Sequence, residues 1–167
     1  MKLATTPSQT VGPFFRVCLA ADAEHGRLLR NETPRMTLAI RVFDGAGVPV
    51  NDALVEIWQT AGDGSSAFGR LGTDENGTCE FDTIRPPASP DGAAHINVCL
   101  FARGLLRHVL TRVYFDGDDR LSLDPVLALV PGARRATLIA RADSADGDRW
   151  MFDIHLQGDG ETVFFDA

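Results

Sequence analysis

The sequence predicts an all-β protein: one antiparallel β-sandwich, preceded by an extended N-terminal arm and containing little helix. Three observations carry that prediction. Apolar and polar residues alternate in short runs along most of the chain, and a period of two sends neighbouring side chains to opposite faces of a half-buried strand. Turn-forming clusters of Gly, Asp, Asn and Pro separate these runs at intervals of about a dozen residues, the spacing of a sandwich. The length, 167 residues, suits a single domain able to bury roughly 70% of its unfolded surface.

The elements follow in order. Residues 1–15 form the arm, because Thr5 to Phe15 has neither a helical nor a strand period, and Pro7 and Pro13 bias the residues before them towards extended backbone. Residues 16–167 form the sandwich domain, although Arg16 to Arg35 is too polar and irregular to assign. Met36 to Phe43 alternates as a strand, and Asp44-Gly45-Ala46-Gly47 turns the chain. Ala53 to Gln59 is the next strand, with Val55 and Ile57 opposing Leu54, Glu56 and Trp58. Gly and Ser make Ala61 to Gly72 a loop. Asn76-Gly77 is a hairpin turn that leads into a strand over Cys79 to Ile84. Three prolines make Arg85 to Ala93 a loop. Ala94 to Phe115 is a hairpin turning near Arg103-Gly104. Asp124 at N-cap and Pro125 at N1 start a short helix over Val126 to Val130. Thr137 to Ala142 and Arg149 to Leu156 make a last hairpin.

The bulk chemistry excludes several classes. A net charge of −7 argues against nucleic acid or an anionic membrane as partner. No apolar run approaches the ~18 residues of a membrane span. Met1 to Pro7 has no apolar core of a signal peptide, and Cys18, Cys79 and Cys99 are scattered and odd in number. Together these predict a cytoplasmic chain with reduced thiols. Asp116-Gly117-Asp118-Asp119 lacks the downstream ligands of a calcium loop and reads as a solvated turn.

The central hairpin is the chemically suggestive stretch. Ile96, Val98 and Leu100 face one way; His95, Asn97, Cys99 and Phe101 face the other. His95 and Asn97 thus stand roughly 6.6–6.8 Å apart on one face, a spacing for two ligands of one metal ion, yet only one of them is an imidazole.

Several stretches carry a resemblance. They are Thr6-Pro7-Ser8-Gln9-Thr10-Val11-Gly12-Pro13-Phe14, Val55-Glu56-Ile57-Trp58-Gln59, Phe68-Gly69-Arg70, His95-Ile96-Asn97 with Leu100-Phe101-Ala102-Arg103-Gly104, and Gln157 to Asp166. With them the chain resembles the intradiol ring-cleavage dioxygenases over nearly its whole length, and within them the alpha-type chains of the two-subunit, protocatechuate-cleaving branch. The resemblance implies related alpha and beta sandwiches of the prealbumin-like kind. It also implies ferric iron held in catalytic chains by two tyrosinates and two histidines. The histidines come from a His-x-His strand matching His95-Ile96-Asn97, and one tyrosine from a position matching Ser89. This chain departs at Asn97 and at Ser89, and its one tyrosine, Tyr114, cannot supply two phenolates. Fe3+ is hard and highly charged, and a neutral amide oxygen is a poor substitute for phenolate or imidazole.

The expectation is therefore that this chain binds no metal and carries no catalytic residue, with Fe3+ held by a partner beta subunit. His95 should be satisfied by neighbouring backbone. The resemblance places Thr10, Gly12, Pro13 and Arg103 on the wall of the partner's pocket, where O2 cleaves 3,4-dihydroxybenzoate to 3-carboxy-cis,cis-muconate. A guanidinium there suits the substrate's carboxylate. Arg107, His108 and Arg112, like Arg134-Arg135, read as solvated or interface charge. His155 is expected to be exposed, and Trp58 and Trp150 to be core or interface aromatics. Gly62 to Ala67 and Arg85 to Ala94 are shorter than in the family's alpha chains. The rival reading is a β-sandwich scaffold or binding module without a part in catalysis.

Overall fold

The computed structural model describes residues 6–12, 14–19, 26–88, 92–145 and 147–166. Among them lie strands β1 Arg35–Phe43, β2 Leu54–Thr60, β3 Ser66–Gly72, β4 Thr78–Ile84, β5 His95–Phe101, β6 Val109–Phe115, β7 Ile139–Ala142 and β8 Arg149–His155. Their hydrogen-bonded order is β3-β2-β5-β6-β7-β8-β1-β4. β7 is the joint. Ile139 and Ala140 pair with Tyr114 and Phe115 of β6, whereas Arg141 and Ala142 pair with Met151 and Trp150 of β8. One strand that changes partners halfway folds the order into two layers, β3-β2-β5-β6 and β8-β1-β4, as strands at a sandwich corner do.

The core lies between the layers. Leu38, Ile40 and Val42 of β1, Val55 and Ile57 of β2, Ile96, Val98 and Leu100 of β5, and Phe152 and Ile154 of β8 join one buried cluster. These are the residues that the alternation assigns to the inner faces. Each such side chain contributes about 1.5–3 kcal/mol on burial, so the cluster outweighs any polar contact described below. Gln59 adds a buried polar tie. Its amide nitrogen donates to Ile84 O at 3.0 Å and its oxygen accepts from Thr83 Oγ1 at 2.9 Å, joining β2 to the end of β4 in the other layer.

Three expectations need correction. The ladders β1–β8 and β6–β7 are parallel; alternation reports which face a residue takes, not the direction of the neighbouring strand. Ser66–Gly72, read as loop, is β3, paired along all of β2 from Leu54↔Gly72 to Thr60↔Ser66. Its small residues are poor strand formers, but the outer backbone groups of β2 need partners, and tertiary demand overrides propensity at such an edge. The arm is without helix or strand over residues 6–12, but Phe14–Leu19 forms a short helix, α1, so the extended stretch ends before Phe15. That segment contains no proline or glycine to break a helix, and a proline ahead of it costs no internal hydrogen bond.

The second helix, α2 Pro125–Leu129, starts where the sequence places it, with the Asp124 side chain accepting from the amides of Val126 and Leu127. His155 is half-buried rather than exposed, its ring stacked 5.1 Å from that of Phe43.

Candidate functional site

β5 sets the geometry. Its pleat turns Ile96 and Val98 into the core and His95 and Asn97 outward, into a cleft of about 490 Å³ that Trp58, Gln59, Pro86 and Pro87 also line. His95 Nδ1 lies 3.0 Å from the carbonyl oxygen of Ala93, so the proton sits on Nδ1 and the expected backbone partner is present. Burial pushes the His95 pKa down, the bond to Ala93 opposes that shift, and the Arg112 charge adds to it. The imidazole is neutral at pH 7.

Tyr114 pairs directly with His95 across the β5–β6 ladder, with ring centroids 5.6 Å apart. Its hydroxyl does not enter the cleft as a ligand. It donates to Asp124 Oδ1 at 2.9 Å, and burial above all pushes its pKa up to about 12. The same carboxylate accepts from Ala93 N at 3.1 Å, Val126 N at 3.0 Å and Leu127 N at 2.8 Å. Burial works against its charge, but hydrogen bonds from Leu127, Tyr114 and Ala93 outweigh it and hold the carboxyl below its usual range. Gly92 completes the hub, since a Cβ there would stand 2.6 Å from Asp124 Oδ2.

Ferric iron does not fit this cleft. The one phenol is protonated and committed to Asp124, Asn97 offers a neutral amide, and no group of three or more His, Cys, Asp or Glu among the described residues could hold a metal ion. Ser89 lies outside the described residues.

The opposite end of β5 is built differently. There the chain turns at Arg103-Gly104, with Gly104 at φ +88°, a conformation that favours glycine. The Gly104 amide donates to Thr10 Oγ1 at 2.8 Å, so the arm is tied to this turn. Gly12, two residues further along, has φ +70° and open space where a side chain would be. Pro13 lies outside the described residues. Arg103 is 63% exposed, and its Nε is 3.4 Å from Asp52 Oδ2. Both Asp52 oxygens are buried and, among the described residues, accept no hydrogen bond. Of the four residues expected on the partner's pocket wall, Thr10 and Arg103 are thus brought to one turn.

The other charges are mostly committed. Arg135 donates to Val130 O and Ala128 O, and Arg134 to Glu161 O. The Arg112 guanidinium reaches the Tyr114 hydroxyl at 3.5 Å, the His108 ring packs 5.4 Å from Phe101, and Arg107 is exposed. Asp118 accepts from the Arg120 amide and pairs with Arg85 at 3.1 Å, as a structural turn does. Trp58 is partly exposed at the cleft rim against Phe68, 5.2 Å away, and Trp150 meets Phe115 edge-on at 5.1 Å. Arg70 donates from Nε to the buried Glu56 at 2.7 Å across β2–β3.

Sequence reasoning missed the buried setting of two acids. Asp52 reads as one more turn residue, and no local pattern announces that its carboxylate is buried. Asp124 reads as a helix cap; Gly92, which leaves room for its Oδ2, is the faint signal that it does more.

A family model described as Dioxygenase matches residues 11–158. The protocatechuate 3,4-dioxygenase alpha chain of Burkholderia cepacia is 39% identical over 99% of this chain and 98% of that protein. The alpha chain of Pseudomonas putida is 37% identical over 98% and 97%. In both cases the alignment is longer than this chain, which therefore carries deletions relative to them. A solved dioxygenase domain from Streptomyces sp. SirexAA-E, 26% identical, superposes with a TM-score of 0.65 over 96% of this chain and 100% of that one. The family model, the full-length identity and the fold agree, and the chain belongs to the intradiol dioxygenase family.

Proposed function

We propose that this chain is the alpha subunit of a cytoplasmic protocatechuate 3,4-dioxygenase. It pairs with a beta chain of the same family, and the beta chain holds the ferric iron. The pair cleaves 3,4-dihydroxybenzoate with O2, between the hydroxyl-bearing carbons, to 3-carboxy-cis,cis-muconate. The observation that supports this most is the state of the cleft at His95. It sits in a family member similar end to end to alpha chains, yet its phenol is locked to Asp124 and its second imidazole is replaced by Asn97. A chain that keeps the fold and not the ligands contributes something other than a metal site.

That contribution is a wall of the partner's pocket, made by Thr10, Gly12, Pro13 and Arg103. Arg103 presents an exposed guanidinium, the group best shaped for a planar carboxylate. Gly12 keeps the arm thin enough for a flat ring to lie against it. This chain binds and orients the substrate's anionic end, and the partner carries out the oxidation.

The test is co-assembly. The chain alone is expected to bind no iron and to turn over no substrate, and the co-expressed pair to do both. In the pair, Arg103→Ala should raise KM for 3,4-dihydroxybenzoate tenfold or more, since charge-assisted hydrogen bonds contribute about 1.5–3 kcal/mol. Iron bound stoichiometrically by the lone chain, or an unchanged KM in an intact complex, would sink the reading.

A further inference from the structure

Asp52 is an expensive residue in its present place. Its side chain is 13% exposed, both oxygens are shielded from water, and no described residue donates a hydrogen bond to either. A carboxylate taken out of water without donors costs stability, because desolvation penalises its charge. The group facing it is Arg103, whose Nε stands at 3.4 Å: close enough to pair, too far for a good hydrogen bond. Asp52 follows the isolated bridge between Phe43 and Pro49, and Ala53 next to it bonds through its own amide and carbonyl to Thr73. The carboxylate is therefore fixed by the fold, while the guanidinium it faces is mostly in solvent.

We infer that Asp52 is a positioning residue for Arg103, holding the guanidinium by its Nε edge so that the terminal amino groups face outward as a preset receptor for the carboxylate of the aromatic substrate. This inference rests on the proposed role of Arg103 and adds what makes that role specific. A guanidinium offers several edges to an oxyanion. With the Nε edge turned to Asp52, the end formed by Nη1 and Nη2 remains, which admits a planar carboxylate in two parallel hydrogen bonds. The turn beneath is held by the Gly104–Thr10 bond.

Two effects of removing the Asp52 charge oppose each other. An unpaired Arg103 would attract an anion more strongly, but water screens that gain at so exposed a guanidinium. An unanchored arginine regains its rotamer freedom and must lose it again on binding, and solvent does not screen that cost. The ordering effect is the larger.

The experiment uses the co-assembled alpha–beta complex and compares Arg103→Ala, Asp52→Asn and Asp52→Ser with the parent, on 3,4-dihydroxybenzoate and on catechol, which lacks the carboxylate. Asp52→Asn should raise the ratio of the KM for 3,4-dihydroxybenzoate to that for catechol about fivefold, with kcat changed less than twofold and Tm held or raised. Asp52→Ser should do the same and covers the case in which the amide packs badly. A structural ion pair predicts the reverse pattern: a lower Tm and an unchanged ratio. That result, with Arg103→Ala still raising the ratio, overturns the role of Asp52 and leaves the role of Arg103 standing. A ratio that does not move in Arg103→Ala overturns both.

Discussion

The two ends of β5 treat their polar groups in opposite ways. At the His95 end the polar groups behind the cleft are paired with one another: Tyr114 and the Ala93 amide bond to Asp124, and His95 Nδ1 bonds to Ala93. At the Arg103 end a buried carboxylate accepts no hydrogen bond among the described residues and a guanidinium lies largely in water. Groups bonded to one another in this way, Tyr114 above all, are not free to serve as ligands. A site that keeps a charge pair unsatisfied costs stability, and such costs persist where function needs them. β5 thus carries a closed hydrogen-bonded hub beside one end and a charged pair at the other.

The hardest test of this contrast is Asp124→Ala. It removes a helix cap and leaves the Ala93 amide and the Tyr114 hydroxyl buried without a partner. With about 1 kcal/mol for the cap and about 1–3 kcal/mol for each of the two orphaned groups, the expected loss is about 3–7 kcal/mol. Urea unfolding of the purified chain measures it. A loss below about 1 kcal/mol would mean that the cleft is not held together by this hub, and the contrast between the two ends would fail.

Much of this molecule was legible in its sequence, for reasons that differ by region. The inner faces of β1, β2, β5 and β8 could be read because burial on one side forces a period of two. Asp124-Pro125 could be read because a cap and a first-turn proline act locally. The strand β3 could not, because Ser66 to Gly72 is held by β2 rather than by its own preferences. Yet Glu56↔Arg70 and Trp58↔Phe68, both within stretches that carried the family resemblance, are cross-strand neighbours, so the pairing was present in residues read as separate motifs. The mismatch between the His95 cleft and ferric iron could be argued from a count of ligands, since one tyrosine cannot supply two phenolates. The burial of Asp52 could not, since it depends on how the strand-connecting turns close over it.

A smaller effect sharpens the Arg103 end. Thr10→Ala removes the one side-chain acceptor recorded for the Gly104 amide, at an exposed turn where water can replace it. The expected cost in stability is at most about 1 kcal/mol, well below that of Asp124→Ala, because an exposed donor is never left dry. If Thr10 ties the arm to the turn that carries Arg103, the KM for 3,4-dihydroxybenzoate in the complex should still rise, about two- to threefold, roughly the factor that half a kcal/mol gives. A large loss of stability with no change in KM would make this end scaffolding as well.

The smallest effect concerns pH, and its sign follows from His95. Burial holds the folded-state pKa below the unfolded value of about 6.5, so the unfolded chain takes up a proton more readily than the folded one. The stabilising contribution is then complete above about pH 6.5 and is lost as pH falls through the interval down to the folded value. Asp124 has the same sign, since its pKa is also depressed, but its contribution disappears only in the more acidic range of a carboxylate. Between about pH 7 and pH 5 His95 therefore adds a slope of this sign, and its share cannot exceed about 1.4 kcal/mol per pH unit, the limit for one proton. His95→Gln keeps a donor for the Ala93 carbonyl and removes this titration, so unfolding free energies measured across that interval should fall less steeply towards pH 5 than those of the parent. A variant with the parent's slope, or a steeper one, would mean that burial does not hold His95 neutral in the folded chain. The cleft would then be an open site still able to hold an anion, and the two ends of β5 would no longer differ in kind.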